Sequence, residues 1–226
     1  MQMMRKYTVN IEMKNIWLVR HGESQSNSGV KTTQPGTSIL TQRGLLQSEC
    51  ISSYIQCRPD IIIHSPYTRA LQSAQATINK FLDVTVDEWP VQEFVYLPHE
   101  KYMNSTQADR LAAVNEYWQQ CDPERKASDE AESFIEFIDR IEMIVDKLMR
   151  RKDHVIVFTH GHVIRAVIWK IITGALKNNT IGMAQYRSLR QAIYIPNAAI
   201  LKIRLDEQEL QMSQLITRHI KPELFT

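Results

Sequence analysis

The stretch "NIWLVRHGESQSN", Asn15 to Asn27, decides how the fold is read. Its apolar part, Ile16 to Arg20, has the length and character of a buried strand, and it stops on Arg20-His21-Gly22. Packing gives no reason to set an arginine beside a histidine where a strand leaves the core. Phosphate chemistry gives one. The pattern recurs in "IIIHSP", where the run from Ile61 ends on His64-Ser65 with Arg69 soon after, and in "HVIVFTH", His154 to His160, which ends on Thr159-His160-Gly161.

Working outward, helical signals lie between these strands. Thr41 is placed to cap a helix over Gln42–Gln56. Tyr67–Phe81 has helical spacing, and Val84–Val86 reads as a short third strand. Ala131–Arg151 carries the clearest stripe, Phe134, Phe137, Ile138, Ile141, Val145 and Leu148, with Glu136–Arg140 and Asp146–Arg150 as pairs on the other side. A helix over Val163–Ile172 follows the His160 strand, and "AIYIPNAAILKIRL" supplies one or two late strands interrupted at Pro196. Strands alternating with helices predict an α/β fold, a three-layer sandwich with a mostly parallel central sheet and helices on both faces. Ser24–Ile39 reads as a loop around Pro35-Gly36. Residues 88–130 hold three prolines and six aromatics. They read as an insertion, with helix near Ala108–Gln120 and a local aromatic core, inside a single domain spanning 1–226.

With 226 residues and 43% apolar content the chain can bury a full core, and its net charge of +2 contains no long run of either sign. Nucleic acid and membrane surfaces are therefore not expected partners. No apolar run reaches the ~20 residues of a membrane span, and the start, Met1 to Asn15, has no apolar region of the secretory type. The cysteines, Cys50, Cys57 and Cys121, have no metal-type spacing and read as free thiols in a reducing cytoplasm. No signal for an oligomeric state is visible.

In a parallel sheet the three polar strand ends lie at one edge, where such sheets bind ligands. Two arginines and two histidines would then meet in an electropositive pocket suited to a phosphoryl dianion. Helix N-termini add N–H donors, and Gly22 and Gly161 allow close backbone approach. A neutral imidazole there can accept a phosphoryl group, with its other nitrogen held protonated by a backbone carbonyl. A carboxyl at the rim would complete the chemistry, and Glu88, Glu93 and Glu100 follow the third strand.

"LVRHGESQSN", "LTQRGLLQSE", "HSPYTRALQSAQ", "ESFIEFIDR" and "VIVFTHGHVIRA" occur in the order and spacing of the histidine phosphatase superfamily, the phosphoglycerate-mutase-like proteins, which the chain resembles from about Asn15 to Ile203. The resemblance implies a metal-independent, acid-type phosphomonoesterase with no cofactor. His21 would be the phosphorylated nucleophile, with Arg20, Arg69 and His160 as the phosphate pocket and Gly161 beside them. Asn27 would contact substrate phosphate, and Glu93, in "PVQEFVYL", would transfer protons. The substrate would be a phosphorylated small molecule or a phosphopeptide, selected by the Ser24–Ile39 loop and the 88–130 insertion. Two departures stand out. Ser38 occupies a position where many members have Asp, and "QEFVYLPHEK" does not resemble the mutase-type segment, so phosphatase activity is favoured over phosphotransfer between substrate positions.

Three other readings compete: a mutase, a metal-dependent hydrolase built on His160 and His162, and a phosphate-binding module without turnover. Two zinc ligands need a third, and none is close in sequence. His64 reads as a packing or loop residue, Arg165 as structural, and Glu132-Ser133 as a helix start where an anion suits the dipole. His99, His154 and His219 carry no motif.

Overall fold

The computed structural model describes residues 14–34, 36–151, 153–206 and 209–226. Pro35 and all but the last two residues of the Met1–Asn15 stretch lie outside the described residues. Six strands form one sheet, β1 (Lys14–Arg20), β2 (Ile61–His64), β3 (Thr85–Glu88), β4 (His154–Thr159), β5 (Ile200–Asp206) and β6 (Glu209–Met212), in the order β3-β2-β4-β1-β5-β6. The first four are mutually parallel, and β5 and β6 close one side as antiparallel strands.

The strands alternate cleanly between two apolar clusters, as the two-residue period of a strand requires. Ile16, Leu18, Ile61, Ile63, Val155 and Val157 face one cluster, and Val19, Ile62, Ile156 and Phe158 face the other. The first cluster takes α4 (Phe134–Met149), α5 (Gly161–Thr173) and α6 (Thr180–Ala192). The second takes α1 (Gln42–Tyr54) and α2 (Thr68–Lys80). This is the expected three-layer sandwich. Among the described residues no helix is long and apolar enough to cross a membrane.

Local chemistry sets the helix starts. Thr41 caps α1 by accepting from the Gly44 N–H at 3.1 Å, and Ser133 and Glu136 form a capping box on α4. The expected Glu136–Arg140 pair does not form. Glu136 is committed to its cap and to Lys126, and Arg140 lies on the buried arc of α4. The helix α6 fills a stretch to which the sequence assigns no element, and the expected late strand begins only at Ile200, with residues 193–199 as the loop before it. The inward residues of α6, Gly182, Met183 and Tyr186, keep helical spacing but belong to no motif. Within the insertion, α3 (Leu111–Gln120) is present, but Trp89, Phe94, Tyr117 and Trp118 join the main cluster under the sheet rather than a core of their own.

Candidate active site

The three polar strand ends meet as expected. Arg20 stands opposite Thr159, and His64 opposite Phe158. The His21 N–H donates to the Thr159 carbonyl, and the Ser65 N–H to the Phe158 carbonyl, each at 3.0 Å. His21 is therefore seated one residue past the sheet edge, buried, at the neck of a cavity of about 420 Å³.

Its ring is held at both nitrogens. Nδ1 lies 2.6 Å from the Gly22 carbonyl, which can only accept, so Nδ1 carries the proton. Nε2 accepts from Arg69 Nε at 3.1 Å and so bears the lone pair. Burial, then the charges of Arg69 and Arg20, hold the ring well below the usual histidine range, so it is neutral. Arg69, buried at the first turn of α2, is brought by burial down to about 10 and stays charged at neutral pH. Arg20 bonds the Ile195 carbonyl through one terminal nitrogen, while its buried Nε has no protein partner.

His160 stands with its ring centroid 5.0 Å from that of His21. It is fully buried and does not reach the cavity surface; its Nε2 lies 2.8 Å from Ser65 Oγ and its Nδ1 has no partner. Asn27 lines the cavity, with its amide oxygen committed to Ser24 and Asn197. Gly161 opens α5 among charged groups: a Cβ there would lie 3.1 Å from an Arg165 terminal nitrogen and 3.8 Å from both Arg20 Nε and Glu93 Oε2. Gly22 serves a different purpose from the expected one. It approaches α1, where a Cβ would fall 2.5 Å from the Gly44 carbonyl oxygen.

Of the three candidate acids only Glu93 reaches the cavity; Glu88 is exposed on the edge strand β3 and Glu100 is exposed at the rim. Glu93 Oε1 accepts from the His162 N–H at 3.0 Å, in the first turn of α5, and from its neighbour Phe94. Its chain segment is clamped by residues that the sequence reading left aside. Arg140 forms a two-pronged pair with Glu132, both contacts at 2.6 Å, and its remaining nitrogen donates to the carbonyls of Pro90 and Gln92 at 2.8 and 3.1 Å. Thr159 Oγ1 adds a bond to the Val91 carbonyl at 2.6 Å. A basic residue on the buried arc of a helix, one turn from Phe137 and Ile144, was the available signal. Asn197 is the other omission: buried, it donates to both the His21 carbonyl and the Asn27 amide oxygen.

The remaining histidines take separate places. His162 lines the cavity and is held by the Tyr186 hydroxyl at 2.9 Å, its ring stacked on Trp118. Among the described residues, the His/Cys/Asp/Glu side chains that converge as metal ligands could are His99, Glu100 and Glu130 at the rim, away from His160 and His162. His64 bonds the Ser65 carbonyl, and Arg165 the Ile193 carbonyl. Ser38 is buried and holds the Ser26 N–H at 3.2 Å, so at this position the loop is latched to itself.

A mostly parallel sheet that presents a neutral, oriented histidine between two arginines defines a phosphate-handling α/β protein. The chain belongs to the histidine phosphatase superfamily (branch 1), whose family model matches residues 16–216. It is 24% identical over 166 residues to the adenosylcobalamin/alpha-ribazole phosphatase of Salmonella typhimurium, covering 70% of this chain and 79% of that one. The alpha-ribazole phosphatase structure from Shigella flexneri matches with a TM-score of 0.70 at 19% identity, over 92% of this chain and 98% of that one. The phosphoserine phosphatase of Entamoeba histolytica in complex with 3-phosphoglyceric acid matches with a TM-score of 0.69 at 18% identity, over 92% and 100%.

Proposed function

We propose that the chain is a single-domain phosphomonoesterase in which His21 Nε2 attacks the phosphorus of a phosphorylated small molecule. The observation that carries this reading is the 2.6 Å contact from Nδ1 to the Gly22 carbonyl, which leaves the lone pair on the nitrogen that Arg69 marks. Attack forms the N–P bond as the ester P–O bond breaks. Arg20, Arg69 and Asn27 answer the charge on the phosphoryl oxygens. His160 stands behind them, its ring against that of His21 and its Nε2 held by Ser65, and acts by positioning His21.

Glu93 then divides its two oxygens between holding and transferring. Oε1 is anchored by backbone N–H groups, and Oε2 carries the proton given to the leaving oxygen. In the second half, the Glu93 carboxylate takes a proton from water as that water attacks phosphorus. The N–P bond breaks, and neutral His21 returns with inorganic phosphate as product. Arginines stand where a cation-dependent hydrolase would place carboxylates, which supports chemistry without a metal. Three free thiols suit a reducing cytoplasm.

The test is rapid quenching in base with substrate labelled on phosphorus. Wild type is expected to yield a phosphoramidate, stable in base and labile in acid, and His21→Ala none. Label recovered on serine, or full turnover by His21→Ala, would overturn the assignment.

A further inference from the structure

The cavity is far larger than a phosphoryl group, and its charge is unbalanced. Arg20, Arg69, Arg110 and Arg190 line it, and the only carboxylate among its lining residues is Glu93. His21 and His162 are held neutral by burial, and His99 is matched by Glu130 at 2.9 Å. That leaves three net positive charges with Glu93 ionised and four with Glu93 protonated as the leaving-group acid, of which a phosphoryl dianion answers two.

Two of these arginines come from the insertion and from α6 rather than from the segments that follow the strand ends. Arg110, at the start of α3, is fixed by one terminal nitrogen on the Ser105 carbonyl and hydroxyl, both at 3.0 Å. Arg190, on α6, lies over the Trp118 ring at 5.2 Å. Neither has a carboxylate within ion-pair distance among the described residues; the adjacent Asp109 turns to the Thr106 N–H. Tyr96 lines the same cavity; burial pushes its phenol up and Arg190 pulls it down. The same cavity wall carries apolar and aromatic residues, among them Phe94, Leu97 and Val114. A guanidinium with its plane set by packing and hydrogen bonds is suited to a second oxyanion.

We infer that Arg110 and Arg190 form a second anion subsite, so that the substrate is a phosphomonoester whose far end carries another negative group, a carboxylate or a second phosphate, across an apolar body. This rests on the phosphatase reading above and narrows it to a substrate class.

Binding tests it without turnover. Alkyl phosphonates tipped with a carboxylate, a second phosphonate or the neutral carboxamide, in a graded series of lengths, are titrated calorimetrically into the whole chain. At the length that spans the cavity an anionic tip is expected to bind about ten- to a hundred-fold more tightly than the amide, the range of a charge-assisted contact. The preference should collapse toward parity in the double variant R110Q/R190Q, and in R110E/R190E an ammonium tip should bind more tightly than the anionic one. A stronger carboxylate or a stronger phosphonate tip identifies which anion the subsite takes; either supports it. Equal affinity of acid and amide at every length, or a preference that survives R110Q/R190Q, overturns it. Affinity is read whether or not His21 is phosphorylated, so failure here leaves the phosphohistidine reading standing, and failure of the labelling experiment leaves this one readable.

Discussion

The two ends of the cavity are built by different kinds of chain. At the phosphate end, His21, Arg20 and Arg69 sit on or just past strand ends of a parallel sheet, and their positions follow from strand register and consecutive backbone hydrogen bonds. At the far wall, Arg110 comes from the insertion and is held locally by Ser105, while Arg190 comes from α6 and is laid over Trp118 of α3, distant in sequence. The Ser24–Ile39 loop bridges the two, with Asn104 N–H donating to the Thr32 carbonyl at 3.0 Å and Thr32 N–H to Ser105 at 3.3 Å. The near end is thus a property of the sheet. The far wall can change by insertion and substitution without disturbing the strands.

Glu93 belongs to the near end chemically but is carried by the insertion, so it tests the division most sharply. Glu93→Gln is expected to slow turnover of an alkyl phosphate by about a hundred- to ten-thousand-fold. An aryl phosphate, whose phenolate leaves unaided, should still phosphorylate His21 in a burst and then stall, because water activation is missing. Rapid-quench kinetics on both substrates reads this, with Glu88→Gln and Glu100→Gln as exposed controls outside the cavity. A stall in either control, with Glu93→Gln normal, would move the acid elsewhere.

Arg140 is where the insertion is pinned to the rest of the fold. Arg140→Leu leaves Glu132 without its two-pronged partner and frees the Pro90–Gln92 carbonyls. Loss of about 2–3 kcal/mol is expected, since the Glu132 left behind is only partly buried and can be rehydrated. Urea unfolding measures it. Replacing both partners, Arg140→Leu with Glu132→Leu, should recover part of the stability but not of the alkyl phosphatase rate, since the carbonyl contacts before Glu93 stay lost. Equal recovery of both would show that the clamp does not position Glu93.

Acid should loosen both ends. His21, His160 and His162 are each held well below the usual histidine range, chiefly by burial. Their folded pKa values lie below the unfolded one, so unfolding takes up protons, and stability falls as pH drops below the unfolded value of about 6.5. Each such histidine contributes about 1.4 kcal/mol per pH unit until its own folded value is reached. Urea midpoints at pH 7 and pH 5 should fall accordingly, and His162→Gln should show a shallower slope. A flat profile would mean that these rings titrate normally in the folded chain.

The same division explains what the sequence disclosed. Strand ends, the Thr41 cap and the order of motifs are local signals, and with them came the sheet, the phosphate end and the resemblance that singled out Glu93 from its neighbours. Tyr186 and Arg190 lie on α6, whose inward residues Met183, Tyr186 and Leu189 keep helical spacing but belong to no motif. Arg140 was read as an outward partner of Glu136 because spacing reports which residues are neighbours on a helix, not which way the pair faces. Asn197 acts through single contacts to chain some 170 residues away, which no local pattern encodes.

The smallest effect compares one helix cap from each end. Asn179 caps α6 by accepting from the Gly182 N–H at 2.9 Å and does nothing else near the site. Thr41 caps α1 and also donates its hydroxyl to the buried Glu23 carboxylate at 2.7 Å, two residues after His21. Removing a cap alone costs about 1 kcal/mol. Thr41→Ala additionally leaves Glu23 with Arg43 as its remaining side-chain partner, so about 2 kcal/mol is expected there. Paired urea melts of Asn179→Ala and Thr41→Ala give the difference. If the strand-end region is the more tightly built of the two, Thr41→Ala loses more stability and also slows phosphorylation of His21, whereas Asn179→Ala shifts only affinity for substrates that reach Arg190. Equal losses, with no effect of Thr41→Ala on phosphorylation, would mean that the loop behind His21 is held by its glycine contact with Gly44 and by Gln47 at the Glu23 N–H, rather than through Thr41.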